Sequence, residues 1–353
     1  MPTLIRSQRN LAVIFLLSLI ILSCQKEVPP GAENNAGSSN KETAKVVQGP
    51  PTLVWWANAP AIPYSSELPN DVLESNNWPI GFAINGKGFV CGTQLWGDYS
   101  IVGIRDLWEY DAPTASWIKK APFPGNPSDL IEAANFVIGD NAYIVTGNAA
   151  WKYNEPADSW AGVAFVPALT RRLATAFPIN GKGYMGLGFV EDNGIHCVND
   201  WWEYDPVANR WTQKSNFPGG KRAGAEGFAI DGMGYVVSGE TDLNILNNKV
   251  WQYDPVADTW TRKADFPGTG RWNAVTGTAT IGGHDFGLII GGNGHVNGDD
   301  QAFDDSWEYN PITDTWGQVW GFAGGNLNRQ AGFVLRYSAF VINTTVQTFN
   351  WSN

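Results

Sequence analysis

The chain has 353 residues, of which 43% are hydrophobic and only 16% charged, with 40 glycines, 18 tryptophans and 3 cysteines. So apolar a composition excludes intrinsic disorder as its main state, and a formal charge of −11 removes electrostatic attraction to nucleic acid or an anionic membrane. Three cysteines do not build a disulfide-dense scaffold.

Arg6 and Arg9 precede an apolar run from Leu11 to Leu22. It is too short to cross a bilayer core of about 30 Å as a helix, but it suits the apolar region of a signal peptide. The run ends Ile21-Leu22-Ser23-Cys24, which resembles the lipobox of bacterial lipoproteins. That resemblance implies residues 1–23 as a signal peptide and Cys24 as the acylated first residue of an exported protein anchored to the outer membrane by lipid alone. The alternative is an ordinary secretory peptide with an incidental Cys24. Gln25-Lys26-Glu27 is similar to the tag that sends some Bacteroidetes lipoproteins to the cell surface, although only one acid follows the lysine here. Residues 24–50 are rich in Pro, Gly, Ser and Asn, which predicts a lipidated flexible linker.

From residue 51 onward a repeat organises the chain. Trp-x-Tyr recurs at Trp108, Trp151, Trp202, Trp251 and Trp307, each copy followed by Asp or Asn. A further tryptophan stands nine positions after each first one, at Trp117, Trp160, Trp211, Trp260 and Trp316. Residues i and i+2 share one face of a strand, and Asp-Pro or Asn-Pro then starts a turn into the next strand. Upstream, Asn85-Gly86, Asn180-Gly181 and Asp231-Gly232 are hairpin signals between β-rich segments. Each unit therefore reads as four short antiparallel strands, a to d. Such units stack because none buries both of its faces alone.

Leu288-Ile289-Ile290-Gly291-Gly292 followed by the Trp/Tyr strands resembles a kelch repeat; the other units keep one glycine of the pair or split the two. The resemblance implies an all-β, kelch-type β-propeller over residues 51–353. Five units are complete. The C-terminal segment from Gly332 to Asn350 reads as strands a to c, and Trp56-Ala57-Asn58-Ala59-Pro60 reads as an unattached strand d. Six blades are expected, the last closed by the N-terminal strand, which would leave no exposed sheet edge.

In such a fold the d–a and b–c connections share a face, and variable loops on a rigid scaffold are where binding residues concentrate. Arg171, Arg172, Lys221, Arg222, Arg271 and, less securely aligned, Arg329 fall in d–a connections. They either clamp an acidic partner, as kelch proteins often do, or pair within the scaffold with acids such as Glu226 or Asp242. Trp78, Trp96 and Trp272, with Tyr99, map to the same face and suit sugar stacking or partial burial. His196 and His295 lie in b–c loops while His284 lies in a turn on the other side, so the three histidines do not form a metal site. The loop through Asp299 and Asp300 to Asp304-Asp305 is oxygen-rich but lacks EF-hand spacing. Cys91 and Cys197 fall in non-adjacent blades, and the copper site of the kelch-fold galactose oxidase is not matched. No cofactor is expected.

The first expectation is a protein- or glycan-binding module using Arg171, Arg172, Arg222, Arg271, Trp96, Tyr99, Trp272, Glu226 and His295. The alternative follows from bacterial kelch propellers that are N-acetylneuraminate mutarotases: a sugar-processing enzyme with Glu226, Arg222 and Arg271 as actors.

Overall fold

A computed structural model describes residues 53–59, 62, 72–77, 79–97, 101–192, 194–296, 299–319, 331–335, 338–342 and 346–351. The signal peptide, Cys24 and the linker lie outside the described residues. The described residues form five antiparallel sheets of four strands, one of five, and two smaller ribbons. The one helical piece among them is a 3-10 turn at Pro127–Leu130.

Sheet I contains Ile80–Ile84, Lys87–Gly97, Ile101–Asp111 and Ser116–Lys120, with Val72–Asn77 added beside the far end of Lys87–Gly97. Sheet II runs Ala134–Ile138, Asn141–Thr146, Ala149–Asn154, Ser159–Val163. Sheets III, IV and V repeat the order, starting from inner strands Thr175–Ile179, Glu226–Ile230 and Val275–Ile281. Sheet VI joins Ala331–Leu335, Ser338–Ile342 and Val346–Trp351 to Leu53–Ala59 from the other end of the chain. Trp56 stands opposite Phe349 there. Tyr204 stands likewise opposite Trp211, and Tyr253 opposite Trp260. The N-terminal segment thus takes the register of a fourth strand.

The turns expected to be tight are so: Asn85-Gly86, Asn180-Gly181 and Asp231-Gly232 all have both residues at positive φ, the geometry whose twist suits a two-residue hairpin. The b–c connection of sheet I is no plain loop: residues 92–97 and 101–106 prolong strands b and c into a long hairpin, with Leu95 opposite Val102 and Trp96 opposite Ile101. Its β-branched residues Ile101, Val102 and Ile104 favour extended backbone.

Six apolar clusters hold the sheets together, and each spans two consecutive sheets; the last joins Val90, Trp108 and Tyr110 of sheet I to Phe333 and Phe340 of sheet VI. A phenylalanine on every inner strand but Val275–Ile281 explains the close fit. A Cβ at Gly183 would sit 2.1 Å from the ring of Phe136 in the preceding sheet, and one at Gly88 would sit 2.0 Å from Phe333. Glycine is required there because a ring occupies the space of a side chain.

A polar stitch repeats at the outer strands. The Tyr253 hydroxyl donates to Asp258 Oδ1 at 2.7 Å, which also accepts from the Ser215 N–H of the preceding sheet at 3.0 Å. Trp260 Nε1 returns a bond to Ser215 O at 3.0 Å. Asp158, Asn209 and Asp314 occupy the same place, all at positive φ, which Asn and Asp tolerate better than most residues.

Candidate functional site

The six inner strands converge on a cavity of about 550 Å³. Small residues such as Gly81, Ala83, Ala176, Gly227, Ala229 and Gly332 line it, which is why the centre stays open. Polar groups line it where the d–a connections enter the inner strands, at Glu132, Glu226 and Asn273, and along two of those strands, at Asn135, Thr276 and Thr278. Glu132 and Asn273 each sit two residues before an inner strand with φ of 57° and 55°, as does Leu173 with 52°. That left-handed backbone is strained for residues with side chains. The Leu173 N–H donates to Glu132 O, and the Gly224 N–H to Leu173 O, both at 2.9 Å. These bonds link consecutive d–a connections around the mouth.

Glu226 begins the inner strand of sheet IV. It is buried, and its Oε1 accepts from the Ala274 N–H of sheet V at 2.6 Å. Burial raises its carboxyl to about 8, although the Ala274 N–H and the Arg271 charge oppose the rise. A group that exchanges its proton near neutral pH at the edge of a cavity is chemically competent for acid–base work.

The expected arginine cluster divides. Arg171, Arg222 and Arg271 are 5%, 2% and 0% exposed, so their guanidinium groups do not face a partner. Arg171 holds Asp200 through two bonds of 2.7 and 2.6 Å and donates to Leu187 O at 3.1 Å. Arg271 holds Asp305 at 2.5 and 3.0 Å, donates to Gly291 O at 2.8 Å, and lies over the rings of Phe266 and Phe303. Arg222 donates to Ser238 O, Asn247 Oδ1 and Gly219 O. These are the scaffold pairings weighed above, with Asp200 and Asp305 as the acids in place of Glu226 and Asp242. Burial works against both carboxylates, yet Arg171 with Trp202 and Arg271 with Trp307 hold them below the usual carboxylate range. Spacing alone could have shown these partners, because Asp200 and Asp305 each stand two residues before a repeat tryptophan.

Arg172 differs, being half-exposed and 3.6 Å from both Glu132 and Glu191. Trp272 packs against His295 with ring centroids 4.9 Å apart and the rings tilted by 53°. His295 Nδ1 lies 2.7 Å from Asp300 and Nε2 lies 3.4 Å from Glu240. The structure thus brings Trp272, His295 and Glu240 together; Glu240 is a neighbour that sequence reasoning missed. Of the remaining residues, Trp78, Tyr99 and Arg329 lie outside the described residues. The side chain of Trp96 also lies outside them.

The acidic loop forms a hairpin, Asn293–Val296 against Asp299–Ala302, and its Asp305 is the partner of Arg271. Among the described residues no three His, Cys, Asp or Glu side chains are grouped to hold a metal ion. Cys91 and Cys197 are both free and buried, and burial pushes both thiols well above their ordinary range.

No family model matches the chain. It is 30% identical over 149 residues to an F-box/kelch-repeat protein of Arabidopsis thaliana, covering 37% of this chain and 32% of that protein. The N-acetylneuraminate epimerase of Pasteurella multocida (strain Pm70) is 30% identical over 137 residues, 36% of each chain. That of Haemophilus influenzae (strain PittEE) is 26% identical over 132 residues, 35% of each. The chain therefore matches about a third of the length of these curated relatives. The solved structure of YjhT superposes with a TM-score of 0.63 at 14% identity, covering 80% of this chain and 99% of that one, a likeness of fold. Repeated Trp-x-Tyr units, packed antiparallel four-stranded sheets and this likeness together give the chain the fold of a kelch-type β-propeller.

Proposed function

We propose that the protein is a binding module that seats a carbohydrate-like ligand at the mouth of its central cavity, on the face of the d–a and b–c connections. One observation carries this reading: an open cavity with Glu132, Glu226 and Asn273 at that mouth and Asn135, Thr276 and Thr278 continuing its polar lining along the inner strands. Carboxylate, carboxyl and carboxamide groups match the alternating donors and acceptors of sugar hydroxyls, and the nearby Trp272 offers a ring for an apolar sugar face. Among the described arginines of the set, Arg172 is the exposed one that could meet an anionic substituent, in exchange for its contacts with Glu132 and Glu191.

A glycan array followed by calorimetry tests the proposal. Binding is expected to fall at least about tenfold, about 1.4 kcal/mol, in Asn273→Ala and Trp272→Ala, while Arg271→Lys affects folding stability alone. Glycan binding untouched by both of the first two variants would end the reading.

A second reading is favoured by Glu226, whose proton is held near neutral pH, and by relatives named N-acetylneuraminate epimerases. Here the cavity would process a sugar, with Glu226 moving a proton to or from a ring or anomeric oxygen. A polarimetric or NMR assay on sialic acid separates the two. Catalysis abolished in Glu226→Gln with binding retained selects the enzyme; absence of catalysis in the parent protein selects the module.

We further propose that the protein is exported and held at the outer membrane by lipid on Cys24. Cys24→Ser is expected to release it into the soluble fraction of its host.

A further inference from the structure

Five of the nine large hydrophobic side chains exposed among the described residues lie in connections of one region: Phe165 and Leu169 before sheet III, and Ile195, Leu243 and Ile245 in the b–c loops of sheets III and IV. Ile195, Leu243 and Ile245 are 61%, 78% and 55% exposed.

The backbone holds these side chains outward. Phe189–Glu191 pairs on one side with Arg171–Arg172 and on the other with Ile195–Cys197. The Cys197 N–H donates to the Asp242 carboxylate, and Cys197 Sγ lies 3.6 Å from Glu240 O. Within the sheet IV loop the Thr241 N–H donates to Ile245 O at 3.1 Å, and the Asn244 N–H to Thr241 O at 3.0 Å. Ile195 is thereby tied close to the loop that carries Leu243 and Ile245. A braced loop that presents aliphatic tips to water marks an interaction surface rather than a fraying segment.

Charge selects the occupant. Glu191, Asp192 and Asp242 flank the tips, and Asp299 and Asp300 extend the acidic border along the neighbouring hairpin. The cations beside them are Arg172, turned toward Glu132 and Glu191, and Lys221, which acts on Asp242. His196 faces Asp192 at 3.3 Å. An acidic border on a chain of charge −11 repels a second copy of itself and an anionic lipid surface alike.

We propose that Ile195, Leu243 and Ile245, with their acidic border, form a docking surface for a protein segment bearing aliphatic anchors flanked by lysine or arginine. This surface is separate from the cavity, so it stands whether or not the cavity binds a sugar.

Fluorescence anisotropy with a labelled peptide of about twelve residues alternating leucine and lysine tests it. Comparison peptides replace every leucine by serine or every lysine by glutamate. Burying two or three aliphatic side chains that water otherwise covers predicts that the leucine–lysine peptide binds at least about tenfold more tightly than either. The double variant Leu243→Ser, Ile245→Ser is expected to lose that advantage at unchanged melting temperature, whereas Val256→Ser on the opposite face retains it. Equal affinity for the serine–lysine peptide would reduce the effect to bulk charge and overturn the proposal. So would an unaltered double variant, or flotation of the protein with phosphatidylcholine vesicles in preference to peptide binding.

Discussion

Replacing Glu226 by glutamine should remove a pH dependence from the stability of the fold. Burial raises this carboxyl from 4.5 to about 8, against the smaller effects of the Ala274 N–H and Arg271. The folded protein therefore keeps a proton that the unfolded chain releases near the ordinary carboxylate value. Its contribution is complete below that value and declines as pH rises toward the folded one. At about 1.36 kcal/mol per unit, the roughly 2.5 units between 4.5 and pH 7 correspond to about 3 kcal/mol. Glutamine keeps an oxygen for the Ala274 N–H and has no proton to lose. Melting curves of the two proteins should coincide near pH 5 and separate as pH rises, the variant melting higher by about 6 °C at pH 7 for a domain of this size. If both proteins lose stability in parallel between about pH 5 and 8, Glu226 does not hold a buried proton. The acid–base reading of the cavity then falls with it.

Four further outcomes follow from the same scaffold. Asp258→Ala strands the Tyr253 hydroxyl and the Ser215 N–H and should cost about 2–3 kcal/mol by chemical denaturation, while Asp258→Asn should be tolerated because Asn209 already fills the equivalent place in sheet III. Burial opposes ionisation of Asp258 and Asp314, but Tyr253 with Ser215 and Tyr309 with Ala264 hold both carboxyls lowered. Stability they contribute is present above the unfolded carboxylate value and should drain away as pH falls through their depressed values, which acid titration of the melting temperature reads. Arg271→Met leaves Asp305 half-buried without its cation and should cost about 3–5 kcal/mol, with Arg271→Lys a poor rescue because a lysine cannot form the two-pronged pair. Burial alone raises the Glu308 carboxyl, so Glu308→Gln should stabilise the protein increasingly as pH rises, seen as a melting-temperature gain at pH 8 that vanishes near pH 5.

What sequence made legible was whatever repeats at fixed spacing. The nine-residue interval from Trp202 to Trp211 is the length of a strand, a turn at Asp205-Pro206 and the start of the next strand, and Tyr204 duly stands opposite Trp211. Trp56 could be assigned to sheet VI because it copies that pattern across most of the chain, and its pairing with Phe349 follows. The arginines resisted the same reasoning because charge in a sequence carries no sign of depth. Arg171 and Arg172 are adjacent and chemically identical, yet one is 5% exposed and clasped by Asp200 while the other reaches the surface. Strand alternation separates them: Arg171 pairs with Val190 and Arg172 with Phe189, so their side chains leave opposite faces of the ribbon. A cluster of cations on a connection therefore says little about binding until its parity relative to the adjoining strand is known. In this fold Arg171 and Arg271 turn inward onto an aspartate two residues before a repeat tryptophan and Arg222 onto Asn247, so the arginines that look most like a binding site are the ones the scaffold has already occupied.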